Sequence, residues 1–294
     1  MGTTEAADGT RIHFRQIGRS DAEPLLMIQG LGTDSRGWVM QTLAFGSRFH
    51  CVAPDNRGVG RSDKPAGPYR LEQMADDAIA VLDELGIESA HVMGASMGGV
   101  IAQMIAVLHP ERVRSLVLSC TACSHHDWRR ELFDEWATMA LSQGMRPFIT
   151  RNLRWLMGNR SLRRLQPVYH FVGPIAVTVP VHSFAAQVYA LLDQDDSIKL
   201  RLGEIDVPTL IVVGSQDVLT PVGDSEEIAA RIRGSRLAVI RGAAHGVMFE
   251  NFRLFNQTVL SFYDTLPAEI LAPRAEVIDL TLPAPLEAVV DLTG

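Results

Sequence analysis

The sequence has little of what marks a secreted, membrane or nucleic-acid-binding protein. Its three cysteines cannot all pair, and a disulfide scaffold would carry a denser, even set. There is no lysine-rich run and the net charge is −7, a balance that argues against nucleic acid as a partner. No apolar run approaches the roughly 20 residues needed to cross a membrane. The first residues, Met1-Gly2-Thr3-Thr4-Glu5, lack the basic and apolar regions of a signal peptide. A cytoplasmic protein that engages no membrane is expected. Acid is also missing locally: no Asp or Glu lies between Glu135 and Asp193.

What is present is apolar and alternating. Of the 294 residues, 47% are hydrophobic, enough for one large α/β domain or a core with an inserted lid. An opening hairpin is expected over residues 9–17, then strands at 25–29 and 51–55 and a helix at 71–85. A strand at 91–93 leads into a helix at 97–108, which His109-Pro110 stops, and another strand follows at 116–119. The alternation fails over about 124–202 and resumes at Pro208 with a buried strand, a helix through 228–232 and a strand at 237–240. Alternation of this kind predicts a mostly parallel central sheet with helices on both faces.

The junction at residues 93–97 carries the first chemistry. Gly94-Ala95-Ser96-Met97-Gly98 links the strand to the helix, a G-x-S-x-G turn that holds a serine hydroxyl at a helix N-terminus. Alone, the pattern is also that of an ordinary glycine-rich turn. Two further strands end in titratable residues, Gly214-Ser215-Gln216-Asp217 and Gly242-Ala243-Ala244-His245. Either could be structural, since an aspartate there can cap the next helix and a histidine can sit idle in a loop. Together they place serine, acid and base on one rim of the sheet, in the order Ser96, Asp217, His245. The first strong strand runs into Gln29-Gly30-Leu31-Gly32, where glycines free a backbone N–H to face that rim. Acyl transfer needs such donors, because charge collects on the carbonyl oxygen.

Gln29-Gly30-Leu31-Gly32, Asp55-Asn56-Arg57-Gly58-Val59-Gly60-Arg61-Ser62, Gly94-Ala95-Ser96-Met97-Gly98, Asp217 and His245 together resemble the α/β-hydrolase superfamily over roughly residues 10–265. The resemblance implies an α/β-hydrolase fold with an inserted helical cap. It also implies a catalytic set of Ser96, Asp217 and His245, and an oxyanion hole from the backbone N–H groups of Leu31 and Met97. Many relatives carry His-Gly where this chain has Gln29-Gly30, so a side chain that often organises the loop is replaced. The 55–62 segment matches a structural signature, with Arg57 read as a buried-network arginine. The short loop and single cap are similar to small-molecule carboxylesterases and enol-lactonases, which implies a small-molecule ester or lactone cleaved through an acyl-enzyme on Ser96. A carbon–carbon bond hydrolase, a cofactor-free haloperoxidase-like enzyme and a ligand-binding receptor on the same scaffold are the alternatives.

The expected organisation is a core at residues 1–123 and 203–266, a cap at 124–202 and a tail at 267–294. Three of the four tryptophans fall in the cap, and Trp128, Trp136, Trp155, Phe148, Phe171 and Phe184 offer it aromatic surface. Gly30, Trp38 and the three cap tryptophans are the candidate pocket walls. Arg146, Arg151, Arg154, Arg160, Arg163 and Arg164, unbalanced by acid, would either attract an anionic substrate such as a monoester or form a solvated helix face. Arg146, Arg151 and Arg154 are the pocket candidates among them.

No cofactor is expected, since nucleophile, base and donors all come from the chain. No metal is expected either, because the adjacent His125-His126 cannot face one ion together on regular structure. Cys120-Thr121-Ala122-Cys123 reads as a pair of small apolar residues near the pocket rather than a redox pair, and Cys51 as core. In the tail, Glu276-Val277-Ile278-Asp279-Leu280-Thr281 is echoed by Val289-Val290-Asp291-Leu292-Thr293, a pattern of short strands suited to a sheet edge. Disorder, a lid contact and a homodimer contact are its alternative roles.

Overall fold

The computed structural model of the chain describes residues 1–158, 161–163 and 179–266, with the backbone of 276–280. Arg160, Arg164, Phe171 and the 289–293 echo lie outside the described residues. Within them, nine strands form one sheet: Gly2–Glu5 (β1), Arg11–Ile17 (β2), Glu23–Ile28 (β3), Phe49–Pro54 (β4), Ala90–Ala95 (β5), Val113–Ser119 (β6), Thr209–Gly214 (β7), Arg236–Ile240 (β8) and Glu276–Leu280 (β9). Their spatial order is β1-β2-β4-β3-β5-β6-β7-β8-β9. The β1–β2 and β2–β4 pairs are antiparallel, and every pair from β4–β3 to β8–β9 is parallel. The opening hairpin thus begins earlier than residues 9–17 suggest, because β1 is short and polar. The first tail segment does reach a sheet edge, with Glu276 opposite Arg236 in the register.

Alternation along β3 sorts the layers. Leu26 and Ile28 enter one apolar cluster, and Leu25 and Met27 the other. The first face is covered by Leu71–Glu84 (α2), Met97–Leu108 (α3) and Val222–Arg231 (α7), the second by Val39–Phe45 (α1) and Phe252–Thr265 (α8). The described helices between β6 and β7 include Asp127–Gln143 (α4), Met145–Leu156 (α5) and Val181–Leu192 (α6). They add to the first cluster through Phe133, Trp136, Phe148 and Phe184. No helix among the described residues is long and apolar enough to cross a membrane.

The 55–62 segment is a buried polar hub beneath the future site. Asp55 accepts from the backbone of Ser35 and Arg61 and pairs with His13 Nδ1. Arg57 is only 2% exposed. Its guanidinium grips Asp77 through two bonds of 2.7 and 2.6 Å and reaches Asp8 at 2.9 Å. Removing one partner of a buried pair strands the other's charge, so Arg57→Ala should destabilise the fold by about 3–5 kcal/mol. Thermal denaturation of the variant beside wild type measures this; an unchanged midpoint would mean the hub is dispensable.

Candidate active site

Ser96 stands between the end of β5 and the start of α3 with φ +54° and ψ −121°. A non-glycine residue there carries strain on the order of 1–3 kcal/mol, held only because the surroundings leave it no alternative. Those surroundings are the flanking glycines. A Cβ on Gly94 would sit 2.1 Å from the Gly98 oxygen, and one on Gly98 would sit 2.2 Å from the Ile28 oxygen. The turn is further pinned by Ser96 N–H donating to Ser119 O and by Thr121 Oγ1 donating to Ser96 O.

The structure brings Ser96, His245 and Asp217 together from three strand ends. Ser96 Oγ lies 3.0 Å from His245 Nε2, and His245 Nδ1 lies 2.9 Å from Asp217 Oδ2. Asp217 and His245 are buried, whereas Ser96 remains partly accessible. The carboxylate is saturated with donors: Leu219 N–H and Thr220 N–H at Oδ1, Thr220 Oγ1 and His245 at Oδ2. Burial would push the Asp217 carboxyl up, but the charge and hydrogen bond of His245, with the Thr220 donors, outweigh it and hold it below the usual carboxylate range. An ionised carboxylate can only accept, so Nδ1 carries the ring proton and Nε2 is left to accept from Ser96 Oγ. Thr220 is a support that the sequence reading passed over; an Asp followed three residues later by Thr in a tight turn was its signal.

Leu31 lines the same cavity as Ser96, and Met97 follows Ser96 as the first residue of α3. Gly30 packs so closely that a Cβ there would meet Ser96 Cβ at 3.1 Å. Among the described residues, neither the Leu31 nor the Met97 N–H donates to a protein acceptor. Gln29, in place of the histidine of many relatives, folds back so that its Oε1 accepts from Gly30 N–H at 3.2 Å, and Asn56 Nδ2 donates to its backbone oxygen.

A cavity of about 460 Å³ opens over Ser96, floored by Gly30, Leu31, Ser96 and His245 and roofed by the inserted helices. Its walls include Trp136, Phe133, Phe148 and Phe184, joined in one chain of ring contacts with centroids 4.6–5.6 Å apart. Of the sequence candidates, Gly30 and Trp136 line it. Trp38 does not: it is fully buried in the second cluster, with Phe45 and Phe255. Trp128 is 40% exposed beneath the Arg129 guanidinium, and Trp155 packs on the core under Arg154.

The arginine candidates require the larger correction. Arg146, Arg151 and Arg154 are all exposed and none lines the cavity, because α5 turns Phe148, Asn152 and Leu153 inward. Arg163 is exposed as well. The charged lining among the described residues is Asp34 and Arg36, which bond each other at 2.6–2.9 Å.

All three cysteines are free and buried. Burial pushes the Cys51 and Cys123 thiols up to about 12 and Cys120 well above its ordinary value. Cys120 stands close behind Asp217 and His245, with candidate ligand atoms within 4.8 Å of one another. The polar atoms of Asp217 and His245 are already engaged, Asp217 by four donors and the His245 ring by Asp217 and Ser96.

The loop of His245 and the inserted helices are also joined. Gly246 N–H donates to Leu156 O at 2.7 Å, and Glu250 accepts from Ala244 N–H and Gly158 N–H at 3.0 and 2.9 Å.

A family model described as alpha/beta hydrolase fold matches residues 23–252. The 3-oxoadipate enol-lactonase 2 of Acinetobacter baylyi is 28% identical over 257 residues, covering 87% of this chain and 94% of that protein. The crystal structure of the enol-lactonase from Burkholderia xenovorans LB400 matches with a TM-score of 0.82 at 27% identity, covering 90% of this chain and 100% of the other. A thermophilic esterase from Thermogutta terrifontis matches with a TM-score of 0.80 at 26% identity, covering 90% and 97%.

Proposed function

Because this chain belongs to the alpha/beta hydrolase fold family, we propose that it is a serine hydrolase of a small, largely apolar carboxylic ester or lactone. The observation that carries the reading is the continuous Asp217–His245–Ser96 relay beneath a largely apolar cavity. Likeness to an enol-lactonase and an esterase supports the substrate class.

In this reading Ser96 Oγ attacks the substrate carbonyl carbon while His245 Nε2 takes its proton. The Leu31 and Met97 N–H groups hold the oxyanion that forms. Collapse expels the alkoxide, which leaves with the proton returned by His245, and Ser96 keeps the acyl group. Water then attacks with His245 again as base, releasing the acid and restoring the serine. Asp217 holds the tautomer throughout and stabilises the imidazolium.

The test is turnover of short-chain p-nitrophenyl esters and lactones, with mass spectrometry of the protein during the first turnover. An adduct of acyl mass on the Ser96 peptide is expected. No turnover and no adduct from folded protein would remove the acyl-hydrolase reading in favour of the receptor or carbon–carbon alternatives.

Of the arginines that would favour an anionic substrate, Arg146, Arg151 and Arg154 stand exposed and off the cavity lining. The triple variant Arg146→Ala, Arg151→Ala and Arg154→Ala should keep the wild-type ratio of kcat/KM for a carboxylate monoester over its neutral diester, within about twofold, as screened surface charges allow. A ratio that collapses in the variant would return those arginines to the substrate.

A further inference from the structure

In the apolar helix α6, Gln187 is fully buried, as is Ser183, and its amide faces the loop below. Its Oε1 accepts from Gly32 N–H at 2.9 Å, and its Nε2 donates to the Arg57 backbone oxygen at 2.9 Å. Residues 30–33 form a β-turn closed by Thr33 N–H donating to Gly30 O at 3.2 Å. Gly32, at the third position, has φ +68°, as a type II turn requires. Type I and type II turns differ by rotation of the middle peptide, the one that carries Gly32 N–H. An acceptor fixed on that N–H therefore selects one of the two. Leu31, whose N–H is the oxyanion donor of the reading above, is the second residue of this turn and lines the cavity with Ser96. Its support is rigid from the far side too, because Arg57 is bolted to Asp77 and Asp8.

We propose that Gln187 is a positioning residue for the oxyanion loop, a side chain of an inserted helix that fixes the turn carrying the Leu31 donor. The inference rests on the serine hydrolase reading above. It makes acyl transfer conditional on α6 being seated, because the Gly32 acceptor arrives only with that helix. Gln187 touches no substrate; among the described residues it does not line the cavity. Its loss should therefore appear in the chemical step and leave binding alone.

The experiment compares wild type with Gln187→Met, close in shape but without either bond, and Gln187→Glu, which keeps an acceptor for Gly32 N–H. Steady-state hydrolysis of a p-nitrophenyl ester and the labelling rate of Ser96 by a fluorophosphonate are both measured below the melting temperature of each variant. Gln187→Met should lower kcat about 10- to 100-fold with KM within about threefold, since a loosened oxyanion donor costs up to the 100-fold or more of a deleted one. Labelling should slow in parallel, and Gln187→Glu should recover part of both. An unchanged kcat in folded Gln187→Met, a rise in KM alone, or a Gln187→Glu no faster than Gln187→Met would overturn the proposal. A wild type inert to both reagents would instead overturn the hydrolase reading, and the inference with it.

Discussion

Ser96→Ala should lower kcat for any ester substrate by about 10⁴- to 10⁶-fold, the range seen when the nucleophile of such a relay is deleted, and should abolish fluorophosphonate labelling. Alanine removes the attacking oxygen and leaves the rest in place. The strained backbone at φ +54° becomes no harder to hold, so the variant should fold and still bind substrate. That separation is what the measurement reads: substrate affinity retained by calorimetry, turnover gone. Residual hydrolysis at a tenth of the wild-type rate would mean that another group performs the attack, and the assignment of Ser96 would fail.

Asp217→Asn is the second large effect, and the geometry states why. The native carboxylate accepts four hydrogen bonds and donates none. An amide can meet the Leu219 and Thr220 N–H groups only by giving them its oxygen, which turns its NH₂ toward His245 Nδ1. The imidazole must then accept at Nδ1 and carry its proton on Nε2, where it can no longer take the serine proton. A fall in kcat of about 10⁴-fold is expected, the cost of the wrong tautomer in the serine protease relay, with little change in KM. The lost charge also removes the partner of the imidazolium that forms during attack. A fall below about tenfold would mean that Thr220, whose Oγ1 lies 3.2 Å from His245 Nδ1, orients the ring without help.

The meeting of Ser96, Asp217 and His245 was within reach of the sequence because it depends on chain position. A strand buried on both faces reads as a continuous apolar run, and whatever follows it emerges at the rim; Ser96, Asp217 and His245 each follow such a run. The hairpin start was harder to read, since Gly2–Glu5 has almost no apolar alternation to register. Pocket walls were harder still. Counting arginines along residues 146–164 ignores helical phase, and the phase of α5 is set by where Phe148 and Leu153 find a partner. Trp38 follows the 29–32 loop closely, yet a 3₁₀ turn at Ser35–Trp38 rotates its ring into the opposite cluster. Gln187 did leave a trace: a lone amide in Phe184-Ala185-Ala186-Gln187-Val188 must find partners if that face is buried. Which partners it finds is a long-range fact.

The links between the inserted helices and the two loops flanking Ser96 bear on how such a protein diversifies. Gln187 reaches the donor loop, while Leu156 and Gly158 reach the loop of His245. An exchangeable roof would let selectivity drift while speed is conserved, as if one part chose the guest and another did the work. On the serine hydrolase reading proposed above, the part that chooses is also hydrogen-bonded to two of the working loops, so a graft that alters the guest list should alter the engine. Changes of preference in this lineage should then come by single substitutions on the cavity wall more readily than by trading whole helices.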